Sequence, residues 1–448
     1  MVTDTASAIS RGHPHWSSRL MFVFAASGSA VGLGNIWKFP YIVGENGGGA
    51  FVLLYLACLV GLGAPLLIGE ILVGRKGGEF PVRAFAGVAR RAGLSSLWGG
   101  LGVLGAVISL LILAFYVVVS GWVGIYTLDY AAAALGAGVV ETGSAAFEAM
   151  LARPGSQVAA VSTIALVAAI VVYYDVTGGV QTVMRIVAPV FVLLLALLLV
   201  LIALSTGKLV EAFWFMFRPD FGALSFAAFG EALGHAFFTL SVGMCGLLIY
   251  GAYLDADANV PQLGLAVAAV DTGIAFAAAL IIFPVVFAFD LEAAAGPGLL
   301  FIALPEGFRL LPAGNWLGLG FFLATLLAAF SSLIALLIIA RHWIAETARV
   351  SGSMATVIAS TITWVGGVAV ALSLNVWEHI RIFGLGLLDF LDTTTSSWLL
   401  PASGLGVAVF AALAIVPGMK DGPVKTYLRI CLGYIAPLGI LFLVVSKL

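Results

Sequence analysis

Four groups of polar residues stand inside stretches that are otherwise apolar, and their chemistry is that of ion and zwitterion binding. "GSAVGLGNIWKFP", residues 28–40, carries three glycines (Gly28, Gly32, Gly34), Asn35, Lys38 and a proline. "GHAFFTLSVGMCGLLIYGAY", residues 234–253, places Thr239, Ser241, Gly243 and Gly246 in mid-stretch. "AVAAVDTGIAF" holds Asp271, and "AAFSSLIALL" holds the adjacent Ser331 and Ser332. Close helix packing accounts for Gly28 and Gly32 as a small-xxx-small pair, but not for Gly34, Asn35 and Lys38 crowded into the same turns. Each glycine lowers helix stability by about 1 kcal/mol relative to alanine. A helix that comes undone in lipid leaves amides and carbonyls unpaired at several kcal/mol each. Such a break persists only if those groups are filled. A cation can take the carbonyls, and an anionic group the amides that begin the next half-helix.

The other two groups have plainer readings. A serine hydroxyl in a membrane helix commonly bonds back to a carbonyl of its own helix. Asp271 could be a structural, hydrogen-bonded or protonated carboxyl; at a cost of at least about 3 kcal/mol in mid-membrane, however, a functional role is the default.

The elements that position these residues follow from composition. The chain has 448 residues, 62% hydrophobic and 9% charged, against roughly 25% charged in a soluble domain. It reads as a polytopic membrane protein, its partner being the lipid bilayer. The formal net charge of −2 gives no pointer to nucleic acid. Cys58, Cys245 and Cys431 lie in apolar segments at unrelated spacings and read as buried small hydrophobes. The polar stretch "MVTDTASAISRGHPHWSSRL" leads into the first span with no cleavable signal peptide. The histidines (His13, His15, His235, His342, His379) are scattered, and no serine–histidine or metal constellation points to an enzyme.

At about 20 apolar residues per crossing, eleven spans are expected: 21–44, 49–73, 97–130, 157–174, 183–205, 227–254, 260–289, 313–345, 354–374, 383–414 and 425–446. The basic residues Arg11, Arg19, Arg75, Lys76, Arg83, Arg90, Arg91, Arg341, Arg349, Lys420 and Lys425 fall on one side, against Asp255 and Asp257. The positive-inside rule then places the N-terminus in the cytoplasm and the C-terminus outside, in a plasma (inner) membrane. The longer loops, near 131–156, 206–226 and 290–312, fall on the outer side, the first with a short helix. Spans one and six, both interrupted, open two successive groups of five. Because five is odd, the second group is inverted relative to the first, the arrangement of an inverted-repeat symporter. The expected fold is an all-α membrane protein with a 5+5 inverted repeat, discontinuous helices 1 and 6, and an eleventh helix. Its parts are a tail (1–20), a first repeat (21–205), an outer loop (206–226), a second repeat (227–414) and a last span (425–446).

The stretch "RLMFVFAASGSAVGLGNIWKFPYIVGENGGGAF" resembles the first span and following loop of the neurotransmitter:sodium symporter family, in a bacterial form resembling the leucine transporter, and "FFTLSVG" resembles its sixth span. The likeness continues through "GEILVGR", Tyr116, Trp122 and "LLDFLD". It implies Na+ as the coupled ion. One sodium site would use carbonyls of Gly28, Val31 and Ala328 with the hydroxyls of Ser331 and Ser332. The other would use the Ala30 carbonyl, Asn35, Thr239 and Asp271, completed by the substrate's carboxylate. That carboxylate would also accept the amides of Leu33 and Gly34 and the Tyr116 hydroxyl, while the ammonium would meet carbonyls around Ala30, Phe238 and Thr239 and the Ser241 hydroxyl. Gly32 stands where amine carriers of the family place an aspartate, which implies an amino-acid substrate. The side-chain pocket would involve Ser29, Ile112, Met244, Ser332 and Leu336, and suits an aromatic or large aliphatic side chain.

By the same resemblance Lys38 and Asp392 match an outer charged gate, with Tyr116 and Phe238 as a lid below it. Trp16 and Glu346 match inner gate positions, with Tyr253 near them. His13 departs from the inner gate arginine, for which Arg11 is a candidate substitute, and His235 replaces a glutamine and brings a titratable ring. Gly179 and Pro189 match a pattern linked to local unwinding of span five, or form an ordinary proline kink. Asp271 replaces an asparagine, and its fixed charge predicts chloride-independent transport. The expected function is sodium-coupled uptake of a hydrophobic amino acid by alternating access. The rival is a non-transporting sensor or a channel on the same scaffold.

Overall fold

The computed structural model describes residues 15–291 and 298–445. Among these residues there are helices and no β-sheet. Nine continuous helices are long and apolar enough to cross a bilayer: Gly49–Gly77, Ser96–Ala134, Pro154–Tyr173, Asp175–Thr206, Val260–Ala288, Gly314–Ala348, Gly352–Leu372, Leu387–Gly418 and Pro423–Val444. A tenth span is the pair Arg19–Ala30 and Gly34–Glu45, bent by 62° at its break. The remaining expected span, 227–254, is two short helices, Phe226–Thr239 and Gly246–Ala252.

The two interruptions have local causes. The first helix starts at Ser18, whose hydroxyl accepts from the Met21 amide at 3.1 Å, and stops where Val31 turns extended (ψ 117°) ahead of Gly32. In the sixth span Ser241, Gly243 and Cys245 have φ of 52°, 90° and 68°. Three left-handed residues in a run of five cannot continue a right-handed helix. Both breaks therefore fall at the glycine-dense stretches.

Around the breaks the bundle is close-packed. The third span, Ser96–Ala134, and the eighth, Gly314–Ala348, form the most extensive helix pair, and the Ser109 hydroxyl donates to the Leu336 carbonyl across it at 2.7 Å. The longer connections between spans carry short helices of their own, Ser144–Leu151, Leu209–Phe217 and Leu304–Leu310. Phe147, on the first, stacks on Phe301 with ring centroids 5.4 Å apart. The fifth span begins eight residues before its expected start of 183, with a wide, π-helical stretch at Asp175–Val180. Arg341 holds that start through a two-pronged pair with Asp175 at 2.6 and 2.8 Å.

Gly74 faces the Leu248 backbone so closely that an added methyl would overlap its carbonyl, whereas nothing lies within 4 Å of a methyl added at Gly100. Gly74→Ala is expected to destabilise the fold by about 1–3 kcal/mol through overpacking. Gly100→Ala should be neutral or slightly stabilising. Thermal unfolding of the two variants in detergent checks the contrast.

Candidate functional site

The broken first span presents its freed backbone groups to its own Asn35 and to side chains of three other spans. The Leu33 amide donates to the Tyr116 hydroxyl at 3.1 Å, and the Gly32 amide to Asn35 Oδ1 at 3.0 Å. Ser332 Oγ donates to the Val31 carbonyl at 2.9 Å and lies 3.4 Å from that of Ser29, which Ser241 Oγ also approaches at 3.3 Å. Asn35 is the hub. Its Nδ2 lies 2.7 Å from Asp271 Oδ1, 3.1 Å from the Asp271 carbonyl and 3.1 Å from Thr239 Oγ1. Thr239 Oγ1 in turn donates to Asp271 Oδ2 at 2.9 Å. Both carboxylate oxygens are thus held by neutral donors. Among the described residues no basic side chain pairs with Asp271, which is completely buried. A carboxylate so placed is ionised at a high desolvation cost unless a cation joins it. Hard oxygen donors are the chemistry an alkali ion takes.

Beside this network lies a cavity of about 30 Å³ lined by Ala30, Gly32, Gly34, Tyr116, Phe238, Thr239, Ser241 and Ser332, with Ile112, Met244 and Leu336 as its apolar side. Its volume suits a water or two, so a large side chain enters only if a wall moves. Phe238 is the wall placed to do so. It also lines a second cavity, of about 320 Å³, shared with Tyr116, Lys38 and Asp392. Two of the sequence-derived pocket residues stand apart: Ser29 and Leu33 do not line the small cavity and meet the site through their backbone groups.

The second proposed sodium set also converges. Gly28, Val31, Ala328 and Ser331 line a cavity of about 60 Å³ with Met184. The Ser331 hydroxyl donates to the Ala328 carbonyl at 2.8 Å, so the back-bond expected of a lone serine is present. The neighbouring Ser332 instead reaches across to the first span, which a back-bond does not explain.

The gate positions divide. Lys38 and Asp392 line two common cavities, yet no ion pair joins them. Lys38 Nζ lies over the Phe238 ring at 4.7 Å, and Asp392 accepts from the Ser396 hydroxyl at 2.9 Å. At the other end Trp16 is sealed in: its ring nitrogen donates to the Tyr250 carbonyl at 3.0 Å, and it packs edge-on against Tyr250 and Tyr253 at 5.5 and 6.3 Å. Glu346 accepts from the amides of Arg83 at 2.7 Å and Val82 at 3.1 Å, binding the start of the helix Pro81–Arg91. Trp16 and Glu346 are therefore both held by neighbouring helices. His13 and Arg11 lie outside the described residues. Gly179 sits in the wound π-helical stretch, and Pro189 inside the helix Gln181–Thr206, so the segment is helical here. His235 is buried against Phe39 and Tyr55, at 5.6 and 5.4 Å, and neither ring nitrogen has a hydrogen-bond partner.

Sequence reasoning missed two residues that hold the sixth-span break. Glu70 Oε1 accepts from the Gly243 amide at 2.6 Å, and the Ser403 hydroxyl donates to the Gly243 carbonyl. The signal was present: Glu70 is a carboxylate inside an apolar span, the same oddity that marked Asp271.

A methyl added at Gly32 would lie 2.5 Å from Ser332 Oγ and 2.6 Å from the Tyr116 hydroxyl. Gly32→Ala should therefore displace both and weaken sodium-dependent ligand binding by about tenfold or more, the scale of one lost 1.4 kcal/mol interaction. Equilibrium binding measures this, and an unchanged affinity would contradict the geometry.

Comparison with known proteins agrees with this geometry. The sequence model of the Sodium:neurotransmitter symporter family matches residues 13–137 and 140–448. The chain is 34% identical over 400 residues to the uncharacterised sodium-dependent transporter YhdH of Bacillus subtilis (strain 168), covering 89% of this chain and 88% of that protein. An uncharacterised sodium-dependent transporter of Haemophilus influenzae is 30% identical over 448 residues, covering 97% and 98%. The crystal structure of MhsT in complex with L-phenylalanine superposes with a TM-score of 0.87 at 33% identity, covering 98% of this chain and all of that one. Two broken helices, a buried carboxylate without a basic partner and a cavity between them thus stand in a chain that belongs to the sodium:neurotransmitter symporter family: a sodium-dependent membrane transporter, not an enzyme.

Proposed function

We propose that the chain carries a hydrophobic amino acid, aromatic or large aliphatic, inward with sodium, independently of chloride. The observation that carries this reading is the junction of the Asn35–Thr239–Asp271 network with a cavity whose far side is Ile112, Met244 and Leu336. One end of the cavity offers oxygens and the backbone amides of the break to a cation and a zwitterion; the other offers only apolar surface and the adaptable Met244. The relative MhsT was solved with L-phenylalanine, which fits such a side-chain pocket.

In this reading one sodium ion sits among the Ala30 carbonyl, Asn35, Thr239 and Asp271. The substrate carboxylate completes its shell and meets Leu33, Gly34 and Tyr116. A second ion sits among Gly28, Val31, Ala328, Ser331 and Ser332. A shared ligand couples ion and substrate because each site is incomplete without the other. Lys38 and Asp392 close the outer side over Phe238, and Trp16, Tyr253 and Glu346 guard the inner side. The two repeats, 21–205 and 227–414, rock about the site, with 425–446 as an added span. The N-terminus lies in the cytoplasm and the C-terminus outside a bacterial inner membrane. Two charges moving through about 100 mV supply about 4.6 kcal/mol, enough for roughly a thousandfold accumulation.

The fixed charge of Asp271 takes the part that a bound anion would otherwise play beside sodium. Uptake of labelled phenylalanine or leucine into proteoliposomes under a sodium gradient tests the whole reading. Transport should need sodium, resist competition by glycine or proline, and continue when gluconate replaces chloride. Binding without uptake would mark a sensor, and a large loss of rate in gluconate would overturn chloride independence. Asp271→Asn should weaken sodium dependence by about tenfold or more, or make uptake chloride-dependent.

A further inference from the structure

The face that holds most of the basic residues contains a cluster of cations that the transport site does not use. Arg75 donates to the Ala258 carbonyl at 2.6 Å, and Arg91 donates to the Lys76 carbonyl at 2.7 Å. Both guanidinium groups are held in place by backbone oxygens, which fix their orientation without cancelling their charge. Lys76 Nζ lies beside the turn at Gly418, 3.9 Å from where a methyl on that glycine would stand. Lys425 reaches the same turn from the last span, 3.4 Å from the Pro417 carbonyl.

The carboxylates nearby do not neutralise the cluster. Asp421 is taken by Lys425 at 2.9 Å, and Glu346 by Arg83 at 3.6 Å. Among the described residues Glu79, three residues beyond Lys76, makes no ion pair within 4 Å, and neither do Lys76, Arg90 and Arg91. The cluster stands where apolar spans end. Lys76 is the last residue but one of the span Gly49–Gly77, Gly418 is the last of Leu387–Gly418, and Lys425 lies in the first turn of Pro423–Val444. Val424, beside Lys425 in the chain, is 42% exposed. Oriented cations at the ends of three membrane helices match a ligand with a phosphate at one end and hydrocarbon at the other.

We propose that Lys76 and Arg91, at the turn formed by Pro417 and Gly418, bind the phosphate of an anionic glycerophospholipid. A phosphodiester presents two oxygens that an ammonium and a guanidinium fork can share. A basic side chain near an anionic membrane surface contributes about 1 kcal/mol. Free phosphate offers the same oxygens but no hydrocarbon to lie along the three spans that end here, so the lipid is the ligand assigned. This assignment is independent of which substrate is carried.

The test is lipid retention by the purified full-length protein in native mass spectrometry, titrated with phosphatidylglycerol or phosphatidylcholine. Wild type should hold one phosphatidylglycerol in preference to phosphatidylcholine. The double variant Lys76→Gln/Arg91→Gln should weaken retention about thirtyfold, the loss of two such charges. Lys76→Arg should keep it, as should Lys208→Gln, in the loop after the fifth span. If the double variant does not fold, Arg91→Gln alone should show about a fivefold loss. Equal retention of both lipids, or unchanged affinity in the charge-removed variants, would overturn the proposal. Displacement of the lipid by millimolar inorganic phosphate would also overturn it, as a site for the free anion.

Discussion

Peptide groups freed inside a membrane must find partners, because water is not there to supply them. Side chains, most of them from distant parts of the chain, meet part of that demand. Tyr116, Asn35 and Ser332 serve the first break; Glu70 and Ser403 serve the second. Apart from the Asn35 bond, which stays within the first span, each of these bonds ties an interrupted span to a helix that is continuous. The breaks are thus fixed features of the fold, and two of the groups that hold the first, Tyr116 and Ser332, are also walls of the cavity. Stability and binding draw on one network, so a change at Gly32 or Ser332 touches both.

That network leaves one electrostatic requirement open. Asn35 and Thr239 orient the Asp271 carboxylate through both oxygens, but they are neutral and cannot offset its charge. Elsewhere in the bundle the same demand is met within the protein: Asp175 has Arg341 across two short bonds. The contrast between these two carboxylates is the physical reason to place a mobile cation at one and none at the other. The charged residues near the cavity are settled separately. Lys38 rests on the Phe238 ring while Asp392 is held by Ser396, so the two do not pair, while Trp16 is engaged by Tyr250 and Tyr253. Trp16 is thus held by several contacts, while Lys38 and Asp392 have separate partners.

Much of this was legible in the residues. The spans follow from apolar length, and both breaks follow from glycines placed where a helix has no use for them. Asn35, Thr239 and Asp271 stood out as polar groups in apolar runs, and the structure brings them together across more than 200 residues of chain. What sequence could not place were partners defined only by tertiary approach. Glu70 meets Gly243 across 173 residues and Ser403 meets it across 160, and neither spacing has a local signature. The pairing of Arg341 with Asp175 was equally out of reach, since Asp175 reads as a loop residue until the fifth span is seen to begin there. The bonding of Glu346 to Val82 and Arg83 likewise depends on how the helix Pro81–Arg91 lies against the eighth span.

Amide hydrogen exchange at residues 30–35 and 239–246 tests the central claim most directly, measured with sodium alone, with amino acid alone and with both. The account predicts that slow exchange at the two breaks requires both together, because ion and substrate complete one another's shells around the freed peptide groups. Equal protection in all three conditions and in their absence would show that the protein's own side chains suffice, and would contradict it.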